Sequence, residues 1–254
     1  MRFAIYSRKS VLTGRGESIE NQVELCRSYL AAHYPGVRPE EVAVYEDEGF
    51  SGKDFQRPQF RRMLEDIRRA RPEALVCYRL DRVSRSVGDF ADLIRRLNAI
   101  PGDFVIRFMS SHPKDATEKL FRAMAECEKC AHQMHLPVQS GNDRVLHAMN
   151  RGYTREKYLA QVALARQYMP DLVLTTDIIV GFPGETDAEF DDTLSLIETV
   201  RYDAMFTFIY SPRVGTPAAK MPDPYTRAQK QVRFDALVAA ANRISEEKHR
   251  AYEG

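Results

Sequence analysis

At 254 residues the chain has room for one large core or two small ones, and 44% hydrophobic with 29% charged residues is an ordinary globular composition. A net charge of +1 excludes a global polybasic field, so any nucleic-acid contact must rest on local arginine clusters. Cys26, Cys77, Cys127 and Cys130 are too few and too scattered for a disulfide scaffold, and no apolar run approaches the length of a membrane span.

The opening Met-Arg-Phe-Ala-Ile places charge too close to its short apolar stretch for a signal peptide, so a cytoplasmic location is expected. The charge is mildly split. Residues 1–102 hold 18 Lys+Arg and 15 Asp+Glu, a net +3, and the remainder holds 19 and 21, a net −2.

In chain order, residues 2–8 run apolar enough for a buried first strand. Ser18 suits an N-cap, and Ile19, Val23, Cys26 and Leu30 line one face of a helix to about residue 33. A short strand over 42–45 leads to a polar, glycine-bearing loop over 46–57. Pro58 then opens a helix whose apolar face is Phe60, Met63, Leu64 and Ile67. A strand over 74–78 and a helix over 90–97 follow. After the Ile-Pro-Gly break, 104–109 is expected as the next strand of the same sheet. The alternation continues with helix 115–126, strand 134–138, helices 143–149 and 154–168, strand 172–180, helix 187–200, strand 204–210 and helix 226–248. Residues 211–225 form a proline- and glycine-rich ordered loop. Alternating strands and helices predict an α/β fold with parallel sheets, whose loops gather at one sheet edge.

The first hundred residues carry a serine and an arginine cage. Tyr6, Arg8 and Ser10 are spaced by two, so a strand directs all three to one face. A serine hydroxyl is a poor nucleophile unless its developing charge is stabilised. Attack on a phosphodiester builds charge on non-bridging oxygens, which guanidinium groups match with paired donors. Arg79, Arg82 and Arg85 recur every three residues, with Asp81 beside them, and Arg57 sits in a loop able to close over the same phosphate.

The motif Y-x-R-x-S, then E-S-I-E-N-Q (17–22), Y-E-D-E-G-F-S-G-K-D-F-Q-R-P-Q-F (45–60) and Y-R-L-D-R-V-S-R-S (78–86) occur in that order. Together they resemble the catalytic domain of serine recombinases, of the resolvase, invertase and large integrase type, over roughly residues 1–102. The resemblance implies a resolvase-like parallel-sheet domain acting in DNA recombination or integration. In it Ser10 forms a 5′-phosphoserine link to DNA and frees a 3′-hydroxyl, without a cofactor. Arg8, Arg82 and Arg85 would stabilise the transition state and Arg57 would assist. Asp81 would position an arginine or help protonate the leaving group, and Tyr6 and Gln22 would support the site. Self-association is expected of such an enzyme, but the family's long dimerisation helix is not recognisable, so activity is expected to be impaired.

From residue 106 the chain reads I-R-F-M-S-S-H-P-K-D, H-L-P-V-Q-S-G-N-D-R-V-L-H-A-M-N-R-G-Y-T (135–154), D-I-I-V-G-F-P-G-E-T (177–186) and F-I-Y-S-P-R-V-G-T-P-A (208–218). This stretch, to about residue 245, resembles the later part of the radical-SAM domain of tRNA methylthiotransferases. The resemblance implies a partial (βα) barrel over 103–254, with Gln139, Ser140, Gly181, Phe182, Pro183 and Glu185 as S-adenosylmethionine contacts and Arg213 on the tRNA side. The iron–sulfur cluster of that chemistry needs C-x3-C-x2-C, which the 254 residues do not contain, so no cluster and no methylthiotransferase activity are expected. Cys127, Cys130, His132 and His135 are metal-ligand types, but the spacing reads first as a helix end entering a strand, and His112 reads as a loop residue.

The sequence thus reads as a chimera joined near 98–106. It leaves open a DNA-cleaving recombinase with a passenger, a remnant that binds S-adenosylmethionine or RNA, and a fusion without function. Function is expected to follow the first half, which keeps its reactive atoms.

Overall fold

The computed structural model describes residues 1–9, 18–48, 57–77, 87–108, 113 and 116–250, with backbone alone at 8, 9 and 87–89. The described elements, in order, are β1 (Phe3–Lys9), α1 (Ile19–His33), β2 (Val42–Glu48), α2 (Pro58–Ala70), β3 (Ala74–Cys77), α3 (Val87–Asn98), α4 (Glu118–Glu126), β4 (Gln133–His135), α5 (Asp143–Ala148), α6 (Arg155–Tyr168), β5 (Val173–Val180), α7 (Asp187–Val200), β6 (Ala204–Ile209) and α8 (Arg227–His249). All named strand pairs are parallel, in two three-stranded sheets ordered β2-β1-β3 and β4-β5-β6, and no closed barrel forms among the described residues. The chain divides into two compact units, one of Met1–Phe108 with Arg122–Ala131 and the other of Met109–Phe121 with His132–Gly254.

In the first unit β1 is the central strand and is buried on both faces, which explains its continuous apolar reading. Phe3 and Ile5 pack against Ile19, Val23, Cys26 and Leu30 of α1. Residues of the opposite parity turn the other way, and Tyr6 meets Phe60 of α2 with ring centroids 5.2 Å apart. Ser18 caps α1 by accepting the Asn21 amide, as its sequence position predicts. Pro58 opens α2, and Arg71 ends it in the left-handed region at φ 48°.

Among the described residues, 104–108 of the expected strand over 104–109 do not extend this sheet. Ile106 instead makes an isolated parallel bridge with Cys130, donating to the Lys129 carbonyl at 2.7 Å and accepting from the Ala131 amide at 3.0 Å. Arg107 interrupts the apolar run and Val105 is 64% exposed, while Ile106 is the buried residue among the described part of the segment.

In the second unit β5 alternates between fully and partly buried residues. Leu174, Thr176, Ile178 and Val180 face the helices. On that side the Tyr158 and Tyr202 hydroxyls bond at 2.9 Å, Tyr158 donates to the Leu136 carbonyl, and burial raises both phenols far above their ordinary range. Thr186 and Thr226 form capping boxes with Glu189 and Gln229, fixing the starts of α7 and α8. Among the described residues no helix is long and apolar enough to cross a membrane.

Gly141 shows how tightly α7 approaches the β4 loop. A Cβ there would lie 2.5 Å from the Asp192 carbonyl oxygen and 2.6 Å from Thr193 Cα, both backbone. Gly141→Ala is therefore expected to destabilise the second unit by roughly 1–3 kcal/mol, visible as a lowered thermal midpoint. An unchanged midpoint would show that α7 moves freely.

Candidate functional site

In the first unit the site grows from the carboxyl end of β1, whose last residues Arg8 and Lys9 lie in register with Asp47 and Glu48 of β2. Asp47 is only 2% exposed and needs donors to replace water. Tyr6 Oη donates to its Oδ2 at 2.9 Å, and the Gln59 and Phe60 amides at the start of α2 donate at 3.1 and 3.0 Å. Arg57 caps α2 with its backbone alone, so the Asp47 carboxylate takes the place of a capping side chain and meets the positive end of the helix.

Arg57 is fully buried. Its Nη1 donates to Tyr6 Oη at 2.7 Å, and its guanidinium lies 4.4 Å from the Phe60 ring centroid and 5.4 Å from that of Tyr6. The sequence places Arg57 on a loop able to close over a phosphate. The structure places it against the strand, stacked and bonded to Tyr6. Gln22 lies on the other face of β1, where its Oε1 accepts from Ser7 Oγ at 3.1 Å. Tyr6, Arg57 and Asp47 are thus brought together, and Gln22 stands across the sheet from them. Ser10, Asp81, Arg82 and Arg85 lie outside the described residues, as does the side chain of Arg8.

In the second unit two loops leave neighbouring parallel strands. Gln139 sits at φ +71° and bridges to Ile178, donating to the Asp177 carbonyl at 2.9 Å. Ser140 is buried, with its hydroxyl 3.4 Å from that of Thr193 and accepting the Asn142 amide at 3.3 Å. Gly181, at φ +67°, donates its amide to Glu185 Oε2 at 2.6 Å. Burial pushes the Glu185 carboxyl up, and its Oε1 has no hydrogen-bond partner among the described residues.

Phe182 meets Tyr210 edge to face at 5.1 Å, Pro183 is buried, and the Tyr210 hydroxyl is also without a hydrogen-bond partner among the described residues. Arg233 of α8 braces the loop by donating to the Glu185 carbonyl at 2.6 Å and to Asp187 at 2.8 Å, while the stem of Lys230 covers Gly181. Arg213 is exposed, and its carbonyl accepts from Thr216. Cys127 and Cys130 are buried thiols, the latter pushed up to about 12 by burial, while His132 pairs with Asp171.

Asp47, Lys230 and Arg233 escaped the sequence reading. Lys230 and Arg233 continue the stripe of Leu237, Ala241 and Ile244 at helical spacing, a position at which a cation must be buried and paired. Asp47 carried only the weaker signal of standing in the run before Gly49. Replacing Asp47 by alanine removes one acceptor from Tyr6 and two α2 amides. The expected cost is about 2–4 kcal/mol in urea unfolding, with Asp47→Asn losing less. Equal stability of wild type and alanine variant would deny Asp47 this bracing part.

A family model described as "Resolvase, N terminal domain" matches residues 3–135, more than half of the chain and beyond the residue-102 limit set by the motifs. The tRNA-2-methylthio-N(6)-dimethylallyladenosine synthase of Clostridium botulinum strain Loch Maree is 53% identical over 65% of this chain, and that of Alkaliphilus oremlandii 52% identical over 65%. The chain spans only 37% and 35% of these relatives' lengths. The family match and these alignments together exceed the chain's length, so they overlap.

Among solved structures, the N-terminal catalytic domain of TP901-1 integrase is 33% identical, covering 41% of this chain and 74% of that one at a TM-score of 0.33. An Elp3 from Methanocaldococcus infernus is 15% identical, covering 92% and 50% at a TM-score of 0.47. With the resolvase match at its front and the methylthiotransferase-like stretch behind it, the chain is a chimera in sequence, and by that match it belongs to the resolvase family.

Proposed function

We propose that the chain cleaves and transfers DNA strands through Ser10, with residues 1–102 as the recombinase part and 103–254 as a partial radical-SAM part. The observation that carries this reading is a resolvase-family chain whose central strand ends at Lys9, one residue before Ser10, beside the braced Tyr6–Arg57–Asp47 group. Ser10 Oγ attacks the phosphorus of a phosphodiester. The O–P bond forms as the P–O3′ bond breaks, the serine proton is lost and the 3′-oxygen gains one. Re-attack by a 3′-hydroxyl reverses these changes, so strands rejoin without a nucleotide or metal.

Arg8, Arg82 and Arg85 supply paired donors to the crowded phosphorus oxygens. Asp81 orients an arginine or hands a proton to the leaving oxygen. Arg57 and Tyr6 hold the strand end from which the serine follows, and Gln22 steadies Ser7 from the other face. DNA is the partner, in a cytoplasmic setting.

A second reading has one observation in its favour. Glu185 Oε1 and Tyr210 Oη are buried without hydrogen-bond partners among the described residues, beside a loop that turns at Gly181. These are polar groups for a ligand such as S-adenosylmethionine to satisfy, with Gln139, Ser140, Phe182 and Pro183 around it and Arg213 toward RNA. When bound to a cluster that ligand supplies a carbon radical. Here, without C-x3-C-x2-C, it would be held intact.

Mixing the full chain with supercoiled plasmid DNA and quenching with detergent should trap a protein–DNA adduct at the 5′ end. Ser10→Ala should abolish it. No adduct from wild type, or one that survives in the alanine variant, would sink the first reading. For the second, calorimetric titration with S-adenosylmethionine should show saturable heat that weakens at least tenfold in Glu185→Ala, a loss on the order of 1.4 kcal/mol. A flat titration with wild type would remove it.

A further inference from the structure

Among the described residues, the sheet of the second unit has an outer edge and an exposed apolar stripe, and both belong to β6. Its six residues, Ala-Met-Phe-Thr-Phe-Ile, contain no charge and no proline, the usual guards of an edge strand. The other sheet ends are protected: β2 closes on Glu-Asp-Glu, and β3 and β4 are only four and three residues long. No strand pairs with the outer side of β6 among the described residues.

Phe206 and Phe208 lie on one face of β6, 54% and 49% exposed, two of the few large apolar side chains in that state. The same face carries Asp177 and Ile179 of β5 in register with them, and His135 of β4, whose ring stands 5.8 Å from that of Phe206. Parallel sheets are almost always covered on both faces. Among the described residues the helices bury one face, and on the other β5 is partly buried while β6 is exposed.

We propose that this edge pairs with the same edge of a second copy of the chain. A two-fold axis near Thr207 would set the two β6 strands antiparallel in one six-stranded sheet. Phe206 of each copy then meets Phe208 of its partner on the same face, a self-complementary contact without a buried charge. The area argues for weak pairing. Four half-exposed rings, each burying about 150–250 Å² when fully covered, offer roughly 400 Å² between them. Backbone pairing adds to this, but the total stays below the roughly 1,000 Å² of a firm interface. The dimer is therefore concentration-dependent, with a midpoint on the order of 10–100 µM.

Sedimentation equilibrium of the full chain should show the mass rising from 29.1 kDa toward twice that value with concentration. Amide exchange over 204–209 should slow in parallel, while that of β1 does not. The double variant Phe206→Lys with Phe208→Lys, checked by circular dichroism, should stay monomeric, and Val214→Lys, at an exposed position outside β6, should dimerise like wild type. A wild type that is monomeric throughout, or a folded double variant that still dimerises, overturns the proposal. So does exchange over 204–209 that is slow at every concentration, which means a cover within one chain, or that slows only on adding a single-stranded RNA oligonucleotide. Should the double variant not fold, the wild-type exchange decides alone.

Discussion

A carboxylate removed from water must find donors or lose its charge, and Asp47 finds three from two different elements. The Tyr6 hydroxyl ties it to the central strand, and two amides tie it to the start of α2. Arg57 then closes the group from outside by bonding the same tyrosine. This one buried oxygen pair links the central strand to the start of α2. Without it the strand would end with a polar ring and a guanidinium seeking water in the middle of a core.

The second unit solves a related problem differently. Its loops turn at a backbone amide, Gly181, that is received by a side chain four residues on, and α8 supplies the cations that stabilise the turn. Several residues that resemble ligand contacts are thereby held by internal partners. Ser140 serves Asn142 and lies against Thr193, and Gly141 is small because a helix backbone passes beside it. Residues that match a ligand-binding motif can therefore have a packing reason of their own, and the motif alone does not assign a function.

Local rules made much of this legible in the sequence. Ser18 before an apolar helix face, Pro58 at a helix start and the doubly apolar β1 are signals contained within a few residues, and each corresponds to an observed element. Pairings between distant segments were not legible. Phe104–Met109 has the composition of a strand, but which partner Ile106 takes depends on where Cys130 arrives, a matter of tertiary geometry. Asp47 looked like one acid among several in Glu-Asp-Glu until register placed it inside. The arginine cage was the reverse case, plain in the sequence, with Ser10, Asp81, Arg82 and Arg85 outside the described residues.

The hydrogen-bonded phenols of Tyr158 and Tyr202 have a consequence for how the molecule can be watched. The chain has 12 tyrosines and no tryptophan, so its ultraviolet signal comes from phenols. This pair is sealed in the second unit, and deprotonating either ring would strand a negative charge in the core. Base therefore reaches them only after the surrounding packing opens. Toward this pair hydroxide acts as a denaturant first and a titrant second, and their tyrosinate absorbance marks the moment the unit gives way.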